Sequence, residues 1–275
     1  MKKLTRKELA TISTRELAHK YGISEKAIRN LRDAEYLATP VPEVRTFHPQ
    51  VLPPDNYIVT SDWHVPYHDP KLIQMVLNAA VYHDADVLCI GDMIDFPTIS
   101  RFDSRDIDSA VGMELSATGD VLHRFATAGV RVHWTKGNHE LRFFKALKHQ
   151  VDMTDLVKMV IGEDAGVTGY DNEDIWVSYG SADSTWLLTH QQEYSKTPMG
   201  VARKLFLRHH CNIITAHNHH YGMETAPSGK HKLVEAGGLF DTSKLAYLNV
   251  GGATTFPHQA NGFWGLINGE LKWLS

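Results

Sequence analysis

Val130-Arg131-Val132-His133-Trp134-Thr135-Lys136-Gly137-Asn138-His139-Glu140 is the stretch that decides the fold. Residues 130–134 alternate apolar and polar side chains, the period of a strand, and residues 141–147 carry the spacing of an amphipathic helix. Asn138 and His139 therefore stand where a strand gives way to a helix, the place where α/β sheets gather their chemistry. Asn138 offers a neutral carbonyl oxygen and His139 an imidazole, so two adjacent residues can do different work. An Asn-His pair at one turn carries little by itself; its meaning comes from the rest of the chain.

Working outward, the same pattern repeats. Residues 57–61 form a strand-like run that ends in Asp62-Trp63-His64, before a helical stretch at 72–81. Residues 86–90 end in Gly91-Asp92-Met93-Ile94-Asp95, before a helical stretch at 111–128. Further on, the strand-like runs 175–179 and 185–189 lead to His190, and a helical stretch at 199–209 precedes 212–215, which runs into His217-Asn218-His219. The remaining residues, 221–274, read as short strands with Gly-rich turns. Strand–helix alternation with polar residues at strand ends predicts an α/β fold. In Asp-x-His and His-x-His the two side chains are two apart, and extended backbone would point both the same way. A lone His after a strand is usually hydrogen-bonded scenery. Oxygen and imidazole donors at five strand ends are the signature of a site for first-row divalent ions such as Mn, Fe or Zn.

Asp62-x-His64, Gly91-Asp92-x-x-Asp95, Gly137-Asn138-His139-Glu140, His190 and His217-x-His219 together resemble the motif series of the calcineurin-like metallophosphoesterases, in that family's order. The resemblance covers residues 57–270. One departure is Ala216, where the family has Gly. The resemblance implies a four-layered α/β/β/α sandwich with two divalent metal ions, Mn first and Fe, Zn or Ni as alternatives. Carried over residue by residue, Asp62, His64 and His219 would bind one ion and Asn138, His190 and His217 the other, with Asp92 bridging. His139 would be the acid near the leaving group, with Asp95 behind it, and a hydroxide held between the ions would attack phosphorus. Glu140 reads as a helix cap and Trp63 as a wall of the pocket. Arg142, Ser100, Arg101 and Arg105 read as structural or solvated, and His68, His209, His210 and His220 as structural.

The N-terminal part differs in character. Residues 1–45 hold ten basic and six acidic side chains, a net +4, which leaves −8 on the remainder of a chain of net charge −4. Residues 14–33 read as a helix, a tight turn at Gly22 and a second helix capped by Ser24. Leu17, Ala18 and Tyr21 form one apolar face and Ile23, Ala27, Ile28 and Leu31 another. This resembles the DNA-binding helix-turn-helix family, with Glu25, Lys26, Arg29, Asn30 and Arg32 on the face that would meet a major groove. The alternative is a helical hairpin used for docking or oligomerisation. Five of the eleven prolines fall in residues 40–54, a semi-rigid linker. The expected domains are thus 1–38, a linker at 39–54, and a phosphoesterase body at 55–275.

Composition excludes other classes. With 43% hydrophobic and 22% charged residues the chain is an ordinary globular protein rather than a disordered one. The basic start, Met1-Lys2-Lys3, is not followed by an apolar core, so a cytoplasmic location is expected. The uncharged stretch 245–269 is too broken by Gly, Asn and Pro to span a membrane. Two cysteines, Cys89 and Cys211, sit in or beside apolar runs and read as buried thiols.

The substrate is less legible than the reaction. Phe96-Pro97 follow Asp95, where the superfamily's protein phosphatases usually carry Arg. The N-terminal module points to DNA, so a nuclease or end-processing phosphodiesterase leads. The combination is also similar to metallophosphoesterases of bacteriophages and prophages. Alternatives are a protein or small-molecule phosphatase, a cyclic nucleotide phosphodiesterase, or a non-catalytic DNA-binding regulator.

Overall fold

The computed structural model describes residues 8, 12–30, 49–100, 110–163, 165–245 and 259–274. The chain divides into two compact units, residues 1–48 and 49–275.

In the first unit, helix α1 (Thr14–Tyr21) starts on a reciprocal capping box between Ser13 and Glu16 and stops at Gly22, whose φ of 66° is left-handed. That stop suits a residue with no Cβ. Residues 25–30 are helical again, with Ala27 N–H donating to Ser24 Oγ. Leu17 and Ile28 are fully buried, while Glu25, Lys26, Arg29 and Asn30 are exposed. Leu31 and Arg32 lie outside the described residues, as do 39–48 of the expected linker. Its last part belongs to the second unit: strand β1 (Gln50–Leu52) pairs in parallel with β6 (Asp174–Ser178).

The second unit holds two six-stranded sheets. One has the order β12 (Glu270–Trp273), β11 (Trp264–Ile267), β2 (Tyr57–Thr60), β3 (Asp86–Ile90), β4 (Val132–Thr135), β5 (Val167–Tyr170). The other runs β1, β6, β7 (Thr185–Thr189), β8 (Asn212–Thr215), β10 (Lys232–Ala236), β9 (Tyr221–Thr225). In the first sheet β2, β3, β4 and β5 are parallel neighbours, and in the second β7, β8 and β10 are.

Alternation along the strands builds the layers. Tyr57, Val59, Leu88 and Ile90 point between the sheets, where they meet Ile175, Val177, Leu188, Ile214 and Val234. Ile58, Val87, Cys89, Val132 and Trp134 point outward under α2 (Pro70–His83), α3 (Val111–Thr127), α4 (Asn138–Ala146) and α5 (Met153–Ile161). On the far face of the second sheet Leu187, Ile213 and Leu233 meet Val201, Ala202 and Leu205 of α6 (Gly200–His209). Strands buried on both faces explain why these runs read as continuously apolar. Each fully buried aliphatic side chain contributes about 1.5–3 kcal/mol before the entropy of ordering is subtracted. The resulting helix, sheet, sheet, helix stack is the mixed α/β architecture expected.

Several local readings change. Trp63 is fully buried and packs on Phe125 of α3, with its Nε1–H donating to Thr60 Oγ1, so it belongs to the outer core and not to a pocket wall. Ala216 lies outside the left-handed region and buries its methyl between the sheets, so a glycine is not required there. Neither α5 nor β5 was read from the sequence. Among the described residues no helix is long and apolar enough to cross a membrane.

Candidate metal centre

The C-terminal ends of β2, β3 and β4 in one sheet and of β7 and β8 in the other open toward a common point. Two glycines let the strand ends meet there. A Cβ on Gly91 would lie 2.7 Å from the Gly137 Cα and from the His190 ring. A Cβ on Gly137 would lie 2.2 Å from Asp92 Oδ1.

The backbone at these ends is not extended. Asp62, His64, Asp92, His217 and His219 have φ of 50°, 51°, 51°, 77° and 56°. Such left-handed conformations are uncommon for residues with a Cβ and cluster at functional sites. Asp62 and His64 do reach the same place, but through a turn and not along a strand.

Each carboxylate anchors one oxygen and presents the other. Asp62 Oδ2 accepts from Ser61 Oγ and from the His217 N–H at 3.3 Å, whereas Oδ1 is buried and accepts no hydrogen bond among the described residues. That oxygen lies 3.2 Å from His219 Nε2 and 3.7 Å from His64 Nε2. Asp92 Oδ1 accepts the His139 N–H at 2.8 Å, and its Oδ2 lies 3.2 Å from His190 Nε2.

The imidazoles follow the same rule. His64 Nδ1 donates to Asp95 Oδ1 at 2.7 Å, and His190 Nδ1 donates to the Ile90 carbonyl at 2.8 Å. Their protons are thereby fixed, since those oxygens only accept, and Nε2 turns inward with a lone pair. His64 Nε2 faces His219 Nε2 at 3.2 Å, and His190 Nε2 faces Asn138 Oδ1 at 3.0 Å. Lone pairs brought this close need a proton or a cation between them. Among the described residues three groups are spaced to hold an ion: Asp62 with His64 and His219, Asp92 with His190 and His217, and His64 with Asp95 and His139, the last with both Nδ1 atoms already bonded to Asp95. Asn138 adjoins the second group. Outer partners on the Nδ1 atoms are the usual accompaniment of metal-ligating histidines. The orphaned Asp62 oxygen and the facing nitrogens fit divalent ions with nitrogen and oxygen ligands.

Without ions, protons take that place. Burial opposes charge on His64, but the Asp62 and Asp95 carboxylates outweigh it and hold the imidazole at about 10. His190 is likewise held at about 10 against burial by Asp92. Burial would raise Asp62 and Asp92, yet their histidine partners keep both well below the usual carboxylate range. His217 falls to about 4, through burial and the neighbouring His190.

His139 differs from the expectation in its partner. Its Nδ1 donates to the Asp95 main-chain carbonyl at 2.5 Å, while the Asp95 carboxylate, 3.5 Å away, serves His64. Asp95 thus braces both rings with different atoms. His139 Nε2 faces the Asp92 Oδ2 at 3.7 Å and the Arg142 guanidinium at 3.4 Å. Burial pushes this imidazole down to about 4 despite the Asp92 carboxylate, so at neutral pH it is uncharged.

Other side chains frame the site. The Phe240 ring packs on His219 at 4.6 Å and on His64 at 5.7 Å, a wall with no signal in the sequence. Arg142, expected to be structural, reaches the site. Glu140 is more than a cap, because its carboxylate also takes amides of the Asp92 loop. His220 is structural, paired with Glu235 at 3.1 Å, and His209 packs on Trp176. Arg101 and Arg105 lie outside the described residues.

The family model for the calcineurin-like phosphoesterases matches residues 56–244. The chain belongs to the calcineurin-like phosphoesterase family. Members of this phosphoesterase family are generally hydrolases that bind divalent metals. No curated protein matches the sequence. Among solved structures, a conserved uncharacterized protein and predicted phosphoesterase from Streptococcus pneumoniae is 14% identical, with a TM-score of 0.31 over 67% of this chain and 72% of that one. Vacuolar Protein Sorting 29 from Cryptosporidium parvum is 15% identical, with a TM-score of 0.40 over 79% of this chain and 94% of that one. The zinc complex of Vps29 from Entamoeba histolytica is 16% identical, with a TM-score of 0.37 over 79% and 96%.

Proposed function

We propose that this phosphoesterase hydrolyses phosphodiester bonds of DNA at a centre of two divalent ions. Asp62, His64 and His219 would hold one ion and Asn138, His190 and His217 the other, with Asp92 available to both. The observation that carries the reading is the convergence of inward atoms: each of Asp62, Asp92, His64 and His190 has its outer atom anchored and its inner atom presented. Such ions supply Lewis acidity toward a phosphate and a water active near neutral pH, with Mn the first candidate.

The chain's own groups do the rest. His139 presents Nε2 toward the leaving oxygen while Nδ1–H stays on the Asp95 carbonyl, which orients the ring. A phosphate anion beside Nε2 favours protonation there, offsetting the burial that otherwise keeps the ring neutral. Arg142, beside Nε2, is placed to receive a non-bridging phosphate oxygen through its forked donors.

The DNA half of the proposal rests on the first unit. A capped helix, a left-handed Gly22 and a following helical segment with Lys26, Arg29 and Asn30 exposed suit a groove-reading hairpin, and the net +4 of residues 1–45 suits phosphates. Mn-loaded protein is assayed on a phosphodiester dye ester, a monoester dye ester, and single- and double-stranded DNA. Cleavage of the diester and of DNA, with the DNA activity falling steeply with salt, is the expected result. Turnover of the monoester alone would overturn the DNA assignment, and inactivity on all four with metal bound would overturn the enzyme.

A further inference from the structure

Glu140 is fully buried, and its two oxygens accept from separate stretches of backbone. Oε2 takes the N–H of Asp92 at 3.0 Å and of Gly137 at 2.8 Å. Oε1 takes the N–H of Met93 at 2.9 Å and of Ile94 at 3.3 Å. A carboxylate has about four lone-pair sites, and all are used here. One side chain therefore bolts the loop that carries Asp92 to the helix start that carries Asn138 and His139.

The loop needs such a bolt. Asp92 is held at φ 51°, the left-handed region disfavoured for a residue with a Cβ. Its neighbours Gly91 and Gly137 approach so closely that neither tolerates a Cβ. Besides Glu140, the seam is tied by the His139 N–H to Asp92 Oδ1 and by the His139 Nδ1–H and the Arg142 guanidinium to the Asp95 carbonyl. Loss of the carboxylate would leave four buried amides unpaired at the place where the inward oxygen of Asp92 is aimed.

We propose that Glu140 is a positioning residue that sets the spacing between Asp92 and the Asn138–His139 pair, and so decides whether the second ion is retained. The inference rests on the two-ion reading above. It predicts a selective defect, because the four N–H groups on Glu140 belong to the Asp92 loop and to Gly137.

Metal-free protein is titrated with Mn and followed by metal stoichiometry and electron paramagnetic resonance, for the wild type, Glu140→Gln and Glu140→Asp. Glutamine has the same shape, but its NH2 would face two of the N–H donors. The wild type is expected to take two ions with a spin-coupled spectrum. In Glu140→Gln the second ion binds about 10–100-fold more weakly and the spectrum becomes that of isolated Mn, with kcat falling in step and KM little changed. Far-UV circular dichroism and cooperative melting establish that the variant is folded. Glu140→Asp, which keeps the charge one methylene short, is expected to lie between the two and serves if the glutamine variant does not fold. Two coupled ions at wild-type affinity in a folded variant would overturn the proposal. Absence of a coupled pair in the wild type would instead overturn the two-ion reading, and the two failures are told apart by the protein in which they appear.

Discussion

The two ends of the first sheet carry the same residue types in opposite states. At the N-terminal ends of its parallel strands, His133 is satisfied on both nitrogens, by the Tyr170 hydroxyl at 2.8 Å and by Asp86 at 3.2 Å. Arg131 also donates to Asp86, at 3.0 Å, and Tyr57 packs edge-on against the His133 ring. At the C-terminal ends, His64 of this sheet and His190, which follows β7 of the second sheet and meets it there, spend one nitrogen on an outer oxygen and turn the other toward a second polar atom. Both ends hold buried or half-buried His–Asp pairs, so residue type does not separate them. What separates them is backbone and satisfaction. The first end is regular strand with its polar atoms paired, and the second is left-handed loop with polar atoms aimed at one another. Polar atoms that converge on one another mark the functional end.

That contrast is most easily broken by changing one residue at each end. His139→Ala is expected to lower turnover of a phosphodiester with a poor leaving group by about 100–10,000-fold, the usual worth of a positioned acid or base. Metal content is expected to stay full, since the His139 side chain is in neither proposed ion set and the alanine variant keeps the main-chain N–H that anchors Asp92. Unchanged turnover by the fully loaded variant would remove His139 from the chemistry. Gly137→Ala comes next: the added methyl overlaps the Asp92 backbone and carboxylate, and a displacement of about 1 Å costs on the order of 100-fold in turnover. Wild-type activity in that variant would mean that the strand ends need not meet so closely.

At the other end, the expected losses are in stability alone. His133→Ala leaves Asp86 and Tyr170 without their shared partner and is expected to cost about 1–3 kcal/mol in urea unfolding, with turnover per loaded molecule intact. A loss of activity there would contradict the division of the sheet into two ends. The smallest effect concerns pH. Burial pushes the Asp86 carboxyl up, but His133 and Arg131 outweigh it and hold it below its ordinary value. A depressed carboxylate contributes stability above its unfolded pKa of about 3.9 and loses it as pH falls through the folded value. Asp86→Asn is therefore expected to be less stable than the wild type by about 1 kcal/mol at pH 7, with the gap closing toward acid. A gap independent of pH would assign the loss to packing.

The sequence and the structure agree where residue type alone carries the information. Asp62, His64, Asp92, Asn138, His190, His217 and His219 are brought together because each closes an apolar run, and such runs are legible as strands. The arrangement within the site was not legible. Extended backbone was expected to align Asp62 with His64, yet both sit in left-handed turns. Asp95 was expected behind His139 through its carboxylate, but packing gives His139 the carbonyl and His64 the carboxylate. Which oxygen meets which ring is set by the approach of distant strands, and no local pattern encodes it. Glu140 shows the same limit: its cap to Gly137 is local and readable, whereas its bonds to Asp92, Met93 and Ile94 join segments more than forty residues apart. Short elements such as β1 and β5 take their identity from neighbours in the sheet, so their sequences alone carry too little periodicity.

The most direct test is metal stoichiometry paired with turnover, in the wild type and in Asp92→Asn. The wild type is expected to bind two divalent ions per chain and to hydrolyse a phosphodiester dye ester in proportion to the second ion bound. Asp92→Asn is expected to lose that second ion and the hydrolysis together. Hydrolysis that persists in Asp92→Asn, or a wild type that cleaves fully with both ions stripped, would contradict the account.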